Sequence, residues 1–323
     1  MTGKLDPEAL AEVLAATGGE DPTVLQGAAY GEDAAAIDLG DRTLVVSADP
    51  ISLAADAVGR LAVHVACNDV AASGANPRWL TNTVFLPSDD AEVRQTVVEQ
   101  VDATATDVGV SVVGGHTEVL PALDRPLLSM TAMGTTDRFI ASGGAEPGDR
   151  LLLTKGAGIE ATAILATDFR EACADAGVSA ATLDAAAAFI EEVSVIPDAA
   201  ALRQWATAMH DPTEGGLLTA LHELAGAGDI EVAVERAEVP VRPETRACCE
   251  ALGVDPLATF GSGALLAAVP PEHVDDALDA LETVDIAAGE IGEVIGEADG
   301  GAVTLDGESM AEPPRDELYP LWE

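Results

Sequence analysis

Four aspartates sit among small residues where the chain reads as a turn, a strand end or a helix start. Asp33 follows Gly31 and Glu32 in GEDAA, and Asp49 closes the apolar run LVVSA. Asp69 follows Asn68 in HVACNDVAASGA, and Asp211 lies in HDPTEGG. Mg²⁺ wants oxygen ligands and is commonly held by a few carboxylates together with substrate phosphates. Loops of small residues let backbone N–H groups approach those phosphates. A single Asp of this kind also serves as a turn former or helix cap. Four in one chain point instead to metal and phosphate.

Two glycine motifs add to this set. Gly114-Gly115-His116-Thr117-Glu118 follows the β-branched run VSVV and delivers a His, a hydroxyl and a carboxylate at a strand end. Its plainer reading is a tight turn with a capping Thr. Thr154-Lys155-Gly156-Ala157-Gly158 joins a strand to a helix and contains one of only two lysines, the other being Lys4. A lysine kept at a glycine turn suggests contact with phosphate; a solvent-facing turn residue is the alternative. Other chemistries lack their signatures: there is no G-x-x-x-x-G-K-[ST], no G-x-S-x-G and no H-E-x-x-H. The five histidines lack metal-site spacing, and His64, His222 and His273 read as structural or surface residues. Cys67, Cys173, Cys248 and Cys249 form no C-x-x-C pair. The residues thus describe a Mg²⁺-nucleotide enzyme.

The elements that must hold these residues alternate between helix and strand. Asp6 and Pro7 open a helix that Gly18-Gly19 end, and RTLVVSAD is a strand. Residues 53–73 read as a helix, Ser88 caps another at 89–108, and strands at 110–113 and 127–134 complete a first half. TTDRFIASGGAEPGDR is the boundary. The second half opens on the strand LLLTK, with helical patterns near 179–192 and 197–209 and a helix after HDPTEGG running through Ala227. Strands at 230–235 and 263–269, a helix near 271–282 and short strands to about 305 follow. The fold class is α/β or α+β.

Composition sets the environment. Fifty-seven acidic residues against fifteen basic ones give a net charge of −42, spread along a chain that is 48% apolar. Molar salt shortens the Debye length to about 3 Å and screens such self-repulsion, so a halophile cytoplasm is expected. Duplex nucleic acid is excluded as a partner, because affinity there comes from Lys and Arg on phosphates. The N-terminus carries no signal-peptide core, and no stretch has membrane-spanning length without interruption.

The ordered set GEDAAAI, VSADP, CNDVAASGANP, GGHTEV, LTKGAGIEATAILA and DPTEGGLLTAL resembles the AIR synthase superfamily, from about residue 5 to residue 307. That group includes thiamine-monophosphate kinase, selenophosphate synthetase and the hydrogenase-maturation factor HypE, and the likeness is greatest to the HypE and archaeal AIR synthase-related branch. The resemblance implies a two-domain PurM-like fold, with residues 1–142 binding ATP and Mg²⁺ and pairing their sheets across a homodimer. Residues 148–310 would form the second α/β domain and 311–323 a tail. It implies Asp33, Asp49, Asp69 and Asp211 as metal ligands, with Gly31, Asn68, Gly114, Gly115, His116, Thr117 and Lys155 also at the nucleotide. Asp33, His116 and Asp211 are the catalytic candidates.

The implied chemistry is ATP-dependent activation of a carbonyl, amide or phosphate oxygen on a small molecule or carrier protein. Departures bear on which reaction this is. HypE-type catalysis uses a cysteine at the extreme C-terminus, whereas this chain ends PPRDELYPLWE, and His116 stands where those enzymes usually carry Asp. A nucleotide-binding partner in a maturation complex and a small-molecule kinase are the alternatives.

Overall fold

A computed structural model describes residues 3–5, 7–16, 21–51 and 57–323. The chain divides into two compact units. The smaller comprises Pro22–Gly27 and Ala34–Phe139; the larger comprises the described residues up to Asp21, Ala28–Asp33 and Ile140–Glu323. Two α/β bodies of this kind agree with the expected fold class. The division passes inside the expected TTDRFIASGG boundary, but the N-terminal stretch, with α1 (Pro7–Ala15), belongs with the C-terminal body. Its Lys4 is tied there by ionic and hydrogen bonds to Glu223 and Thr213, contacts between residues more than 200 apart that no local pattern encodes. The expected cap Asp6 and the stop Gly18-Gly19 lie outside the described residues.

In the smaller unit the elements are β1 (Val24–Gln26), β2 (Ala35–Asp38), β3 (Thr43–Ile51), α2 (Val58–Ala72), β4 (Asn76–Leu86), α3 (Ala91–Asp107), β5 (Ser111–Val119) and β6 (Leu127–Thr136). The strands form one sheet in the order β1-β2-β3-β6-β4-β5. Helix α2 is built of small and apolar residues and is buried along its length apart from Arg60, so it lies close against the sheet. Helix α3 buries the stripe Val97, Val101, Thr104 and Ala105 and crosses between the parallel neighbours β4 and β5.

Several expectations change here. The cap of α3 is Asp90, whose carboxylate accepts from the Glu92 and Val93 N–H groups, instead of Ser88. Strand β4, absent from the sequence reading, is the longest in this sheet at 11 residues. Strand β5 does not stop at 113 but runs through Gly114-Gly115 to Val119, so GGHTE is strand and not turn. Extended backbone continues there because Gly115 lies against β4: a Cβ would meet the Asn82 carbonyl oxygen at 2.4 Å. Every residue of β5 is exposed, and the strand forms an edge of the sheet.

The larger unit contains β7 (Arg150–Thr154), α4 (Ile159–Thr167), α5 (Arg170–Asp175), α6 (Ala180–Ala187), α7 (Ile196–Leu202), β8 (Ala208–His210) and α8 (Gly216–Gly228). It continues with β9 (Ile230–Val234), α9 (Pro243–Leu252), β10 (Leu266–Val269), α10 (Val274–Thr283), β11 (Ala288–Glu297), β12 (Ala302–Leu305), β13 (Glu308–Met310) and α11 (Tyr319–Trp322). The sheet order is β13-β12-β9-β11-β7-β10-β8. Interior strands β7 and β10 contribute Leu151, Leu153, Leu266 and Ala268 to a core completed by Leu217, Leu221 and Leu224 of α8. The helical pattern near 197–209 ends early, since 208–210 pairs with β10 as a strand. Helix α9, opened by Pro243 in its first turn, was not anticipated.

Candidate functional site

Part of the candidate set gathers in two clusters, one in each unit, while the β5 residues and Lys155 stand apart from both. In the smaller, β3 carries Ser47 and Asp49 while α2 carries Asn68 and Asp69. The Ser47 hydroxyl lies within hydrogen-bonding reach of Asp49 Oδ2 at 3.0 Å and of the Asp69 carboxylate, so one buried hydroxyl is shared between two acids. Asn68 is fully buried and Asp69 is 6% exposed. Of the β5 residues, Thr117 lines a small cavity of about 160 Å³ with Val97 and Val101 of α3. His116 is exposed and faces Glu118 at 3.3 Å.

In the larger unit, the 28–33 loop packs on α8 at Gly31, which has φ +79° and whose absent Cβ would meet the Glu223 carbonyl oxygen at 2.1 Å. That approach turns the next two residues inward. Glu32 accepts from the Ser142 and Gly143 N–H groups at 3.1 Å each. Burial raises the Glu32 pKa, and the two N–H groups oppose that rise. Asp33 presents Oδ1 to His210 Nδ1 at 2.6 Å, and Oδ2 accepts from the Ser142 hydroxyl at 3.3 Å. His210 ends β8, and its Nε2 meets Glu223 Oε2 at 3.1 Å. The other Glu223 oxygen takes the Lys4 ammonium at 3.1 Å, and that ammonium also donates to Thr213 Oγ1.

The result is an alternating row of charge: Lys4, Glu223, His210, Asp33. Both ring nitrogens of His210 lie within 3.1 Å of a carboxylate oxygen, an arrangement that favours the charged imidazolium. Burial by itself would lower the His210 pKa, but Asp33 and Glu223 outweigh it and hold it well above the usual value. Burial likewise opposes ionisation of Glu223, yet Lys4 and His210 draw its pKa down to about 2. Asp211, next in sequence to His210, is 2% exposed. A cavity of about 820 Å³ opens beside this row, lined by Lys4, Tyr30, Glu214, Glu223, Pro314 and Tyr319 among others.

Lys155 has a different surrounding from the one the glycine turn suggested. Its ammonium donates to the carbonyls of Glu192, Ser194 and Gly263 and to Asp198 Oδ2, at 2.6–3.2 Å. Four protein acceptors crowd an ammonium with three hydrogens. The tail is fixed as well. Asp316 accepts from Gly215 N–H at 2.7 Å and Leu318 N–H at 2.9 Å, while Tyr319 packs edge-on against Phe260 and Trp322 against Phe169. All four cysteines are buried, and burial pushes the Cys67, Cys248 and Cys249 thiols up to about 12, so they are poor nucleophiles at neutral pH.

Sequence reasoning gave no site role to Lys4, Glu32, Ser47, Ser142, Glu223 or Asp316. Two of them left a signal: Lys4 is one of two lysines, and Glu32 lies inside the GEDAA motif. Among the described residues no group of three or more His, Cys, Asp or Glu side chains is arranged to hold a metal by itself. The Ser47-linked pair Asp49 and Asp69 nonetheless fits a Mg²⁺ ion that takes its remaining ligands from phosphate and water.

Comparison with known proteins adds the following. Residues 31–136 match the model of the AIR synthase related protein, N-terminal domain, and residues 146–304 that of its C-terminal domain. A putative hydrogenase expression/formation protein of Methanocaldococcus jannaschii is 28% identical over 285 residues, 83% of this chain and 79% of its own length. The carbamoyl dehydratase HypE of Azotobacter vinelandii is 32% identical over 263 residues, 77% of this chain and 74% of its own. Among solved structures, the hydrogenase maturation protein HypE in complex with ATP superposes with a TM-score of 0.71 at 28% identity, covering 93% of this chain and 92% of its own.

Proposed function

The chain belongs to the AIR synthase related family, and on that premise we propose that it is an enzyme using ATP to activate a carbonyl, amide or phosphate oxygen of an acceptor. In such a step the acceptor oxygen forms a bond to the γ-phosphorus as the bond from that phosphorus to ADP breaks. The activated oxygen is then retained as a phosphate ester or leaves as phosphate. The observation that carries this reading is the pair of acids Asp49 and Asp69 held on one buried hydroxyl, Ser47. Two carboxylates fixed so closely suit a divalent ion better than they suit each other.

Asp49 and Asp69 would hold Mg²⁺, with Asp33 and Asp211 the larger unit's candidates. When bound, Mg²⁺ neutralises charge developing on the transferring phosphoryl group. Ser47 fixes the orientation of its two acids, and His210 with Ser142 fixes that of Asp33. The acceptor is a separate molecule in this reading, since all four cysteines are buried and the segment carrying Asp316, Tyr319 and Trp322 is tied down by its own contacts. The exposed edge strand β5, with Val112, Val113 and Val119 open to solvent, supports pairing with a second copy. The acidic composition supports a salt-rich cytoplasm, and among the described residues no helix is long and apolar enough to cross a membrane.

The test is calorimetric titration of AMPPNP into the protein in molar KCl, with and without Mg²⁺. Mg²⁺-dependent binding, lost in both Asp49→Asn and Asp69→Asn, is expected. Binding that ignores Mg²⁺ or survives both substitutions overturns the assignment of the pair.

A further inference from the structure

In a salt-adapted protein, exposed ion pairs carry little weight, because molar salt screens them within a few ångströms. Buried ones escape that screening. The row Lys4–Glu223–His210–Asp33 has three buried members, and the Glu223 and His210 side chains are 10% and 4% exposed. Lys4 heads the row from the N-terminal segment and remains 46% exposed. Its backbone N–H also donates to Glu214 at 3.0 Å, so the segment grips both the DPTEGG turn and α8.

A buried ion pair is a weak source of stability, because removing charges from water offsets most of their attraction. An apolar side chain would pin the segment at least as well. The row does something an apolar contact cannot: it fixes which oxygen of each carboxylate faces which donor. Lys4 takes Oε1 of Glu223 while His210 Nε2 meets Oε2, and holding the carboxylate in that orientation sets the imidazole edge offered to Asp33. Loss of Lys4 would free the Glu223 carboxylate to turn, and with it the imidazole that faces Asp33.

We propose that Lys4 is a positioning residue for Asp33, acting through Glu223 and His210, so that the N-terminal segment completes the larger unit's candidate nucleotide-binding cluster. This rests on the functional reading above. The test uses the full-length protein in molar KCl with Lys4→Met, Lys4→Gln and Lys4→Arg, and two readouts. One is Mg²⁺-dependent AMPPNP affinity by calorimetry; the other is the ¹⁵N shifts of the His210 ring at fixed pH, assigned with His210→Gln.

The Met and Gln variants should lose on the order of tenfold in affinity and show displaced His210 shifts, whereas Arg restores both. The thermal midpoint should move little in all three, since the side chain is half in solvent. Wild-type affinity with unmoved ring shifts in the Met or Gln variant overturns the proposal. So does an Arg variant as impaired as Met, since charge would then not be what matters. If the unmodified protein binds no nucleotide, the functional reading fails. The His210 shifts still decide whether Lys4 governs the row.

Discussion

The two lysines of this chain occupy opposite kinds of site. Lys155 stands at the end of β7 with a left-handed backbone, φ +59°, where glycine or asparagine would be the easier choice. Its side chain is 11% exposed, and its ion partner Asp198 is fully buried. Three carbonyls complete the shell, so the ammonium joins β7, the 192–198 segment and the 263 turn. Lys4 lies on a terminal segment, is nearly half exposed, and faces an open cavity. Its carboxylate partner leads onward through His210 to Asp33. One lysine closes a structural knot; the other ends a row that reaches a candidate site. Scarcity of lysine marks a residue as used but does not say for what.

That contrast can be broken most forcefully at Lys155. Lys155→Met leaves Asp198 buried without its cation and should destabilise by about 3–5 kcal/mol. Thermal melts measure the loss, and calorimetry on the surviving folded protein should give AMPPNP affinity near wild type. Reduced affinity with an unchanged melting point would give Lys155 a ligand role after all.

Gly31→Ala comes next. A Cβ there collides with the Glu223 carbonyl oxygen at a left-handed φ, so a cost of roughly 2–3 kcal/mol is expected, together with weaker nucleotide binding as Asp33 shifts. An alanine variant that melts and binds like wild type would mean the loop does not rest on α8 this way.

A third test uses pH. Burial raises Glu160 and Asp316 to about 7, from ordinary carboxyl values of 4.5 and 3.8. Between those limits the folded chain holds protons that the unfolded chain has released. Stability therefore falls as pH rises toward 7 and stays at the lower level above it. Glu160→Gln should recover on the order of 1–3 kcal/mol at pH 8 and almost nothing at pH 4.5, read from melting curves at the two values. Equal gains at both would assign the effect to packing. The smallest effect belongs to the surface: Asp89→Asn removes the exposed pair with Arg94 and should change stability by less than about 0.5 kcal/mol in molar salt.

Much of the architecture was legible beforehand. Strands LVVSA and LLLT, the helix after DPTEGG and the two-body α/β arrangement follow from apolar periodicity and glycine punctuation, which act over a few residues. Strand β4 escaped because Asn76–Leu86 mixes polar and apolar residues without strict alternation: it lies between two other strands and is only partly buried. The glycine pair in β5 read as a turn because glycine usually breaks strands, whereas here it allows a close approach to Asn82. Within the clusters, the motifs drew attention to Asp33, Asp49, Asp69 and Asp211, while their neighbours stayed hidden. Ser47 reads as an ordinary strand residue, and Glu223 as one more acid among fifty-seven.

The sequence by itself determined the charge, the ordered motifs that mark the family, and the local turns that carry them. These depend on composition or on backbone preferences within one short segment. Only the tertiary structure decided that Lys4 meets Glu223 across 219 residues, that His210 meets Asp33, and that Asp316 reaches Gly215 across 101. A pairing of charges is fixed by where side chains end up in space, and in a chain with fifty-seven acids to fifteen bases no residue names its partner in advance.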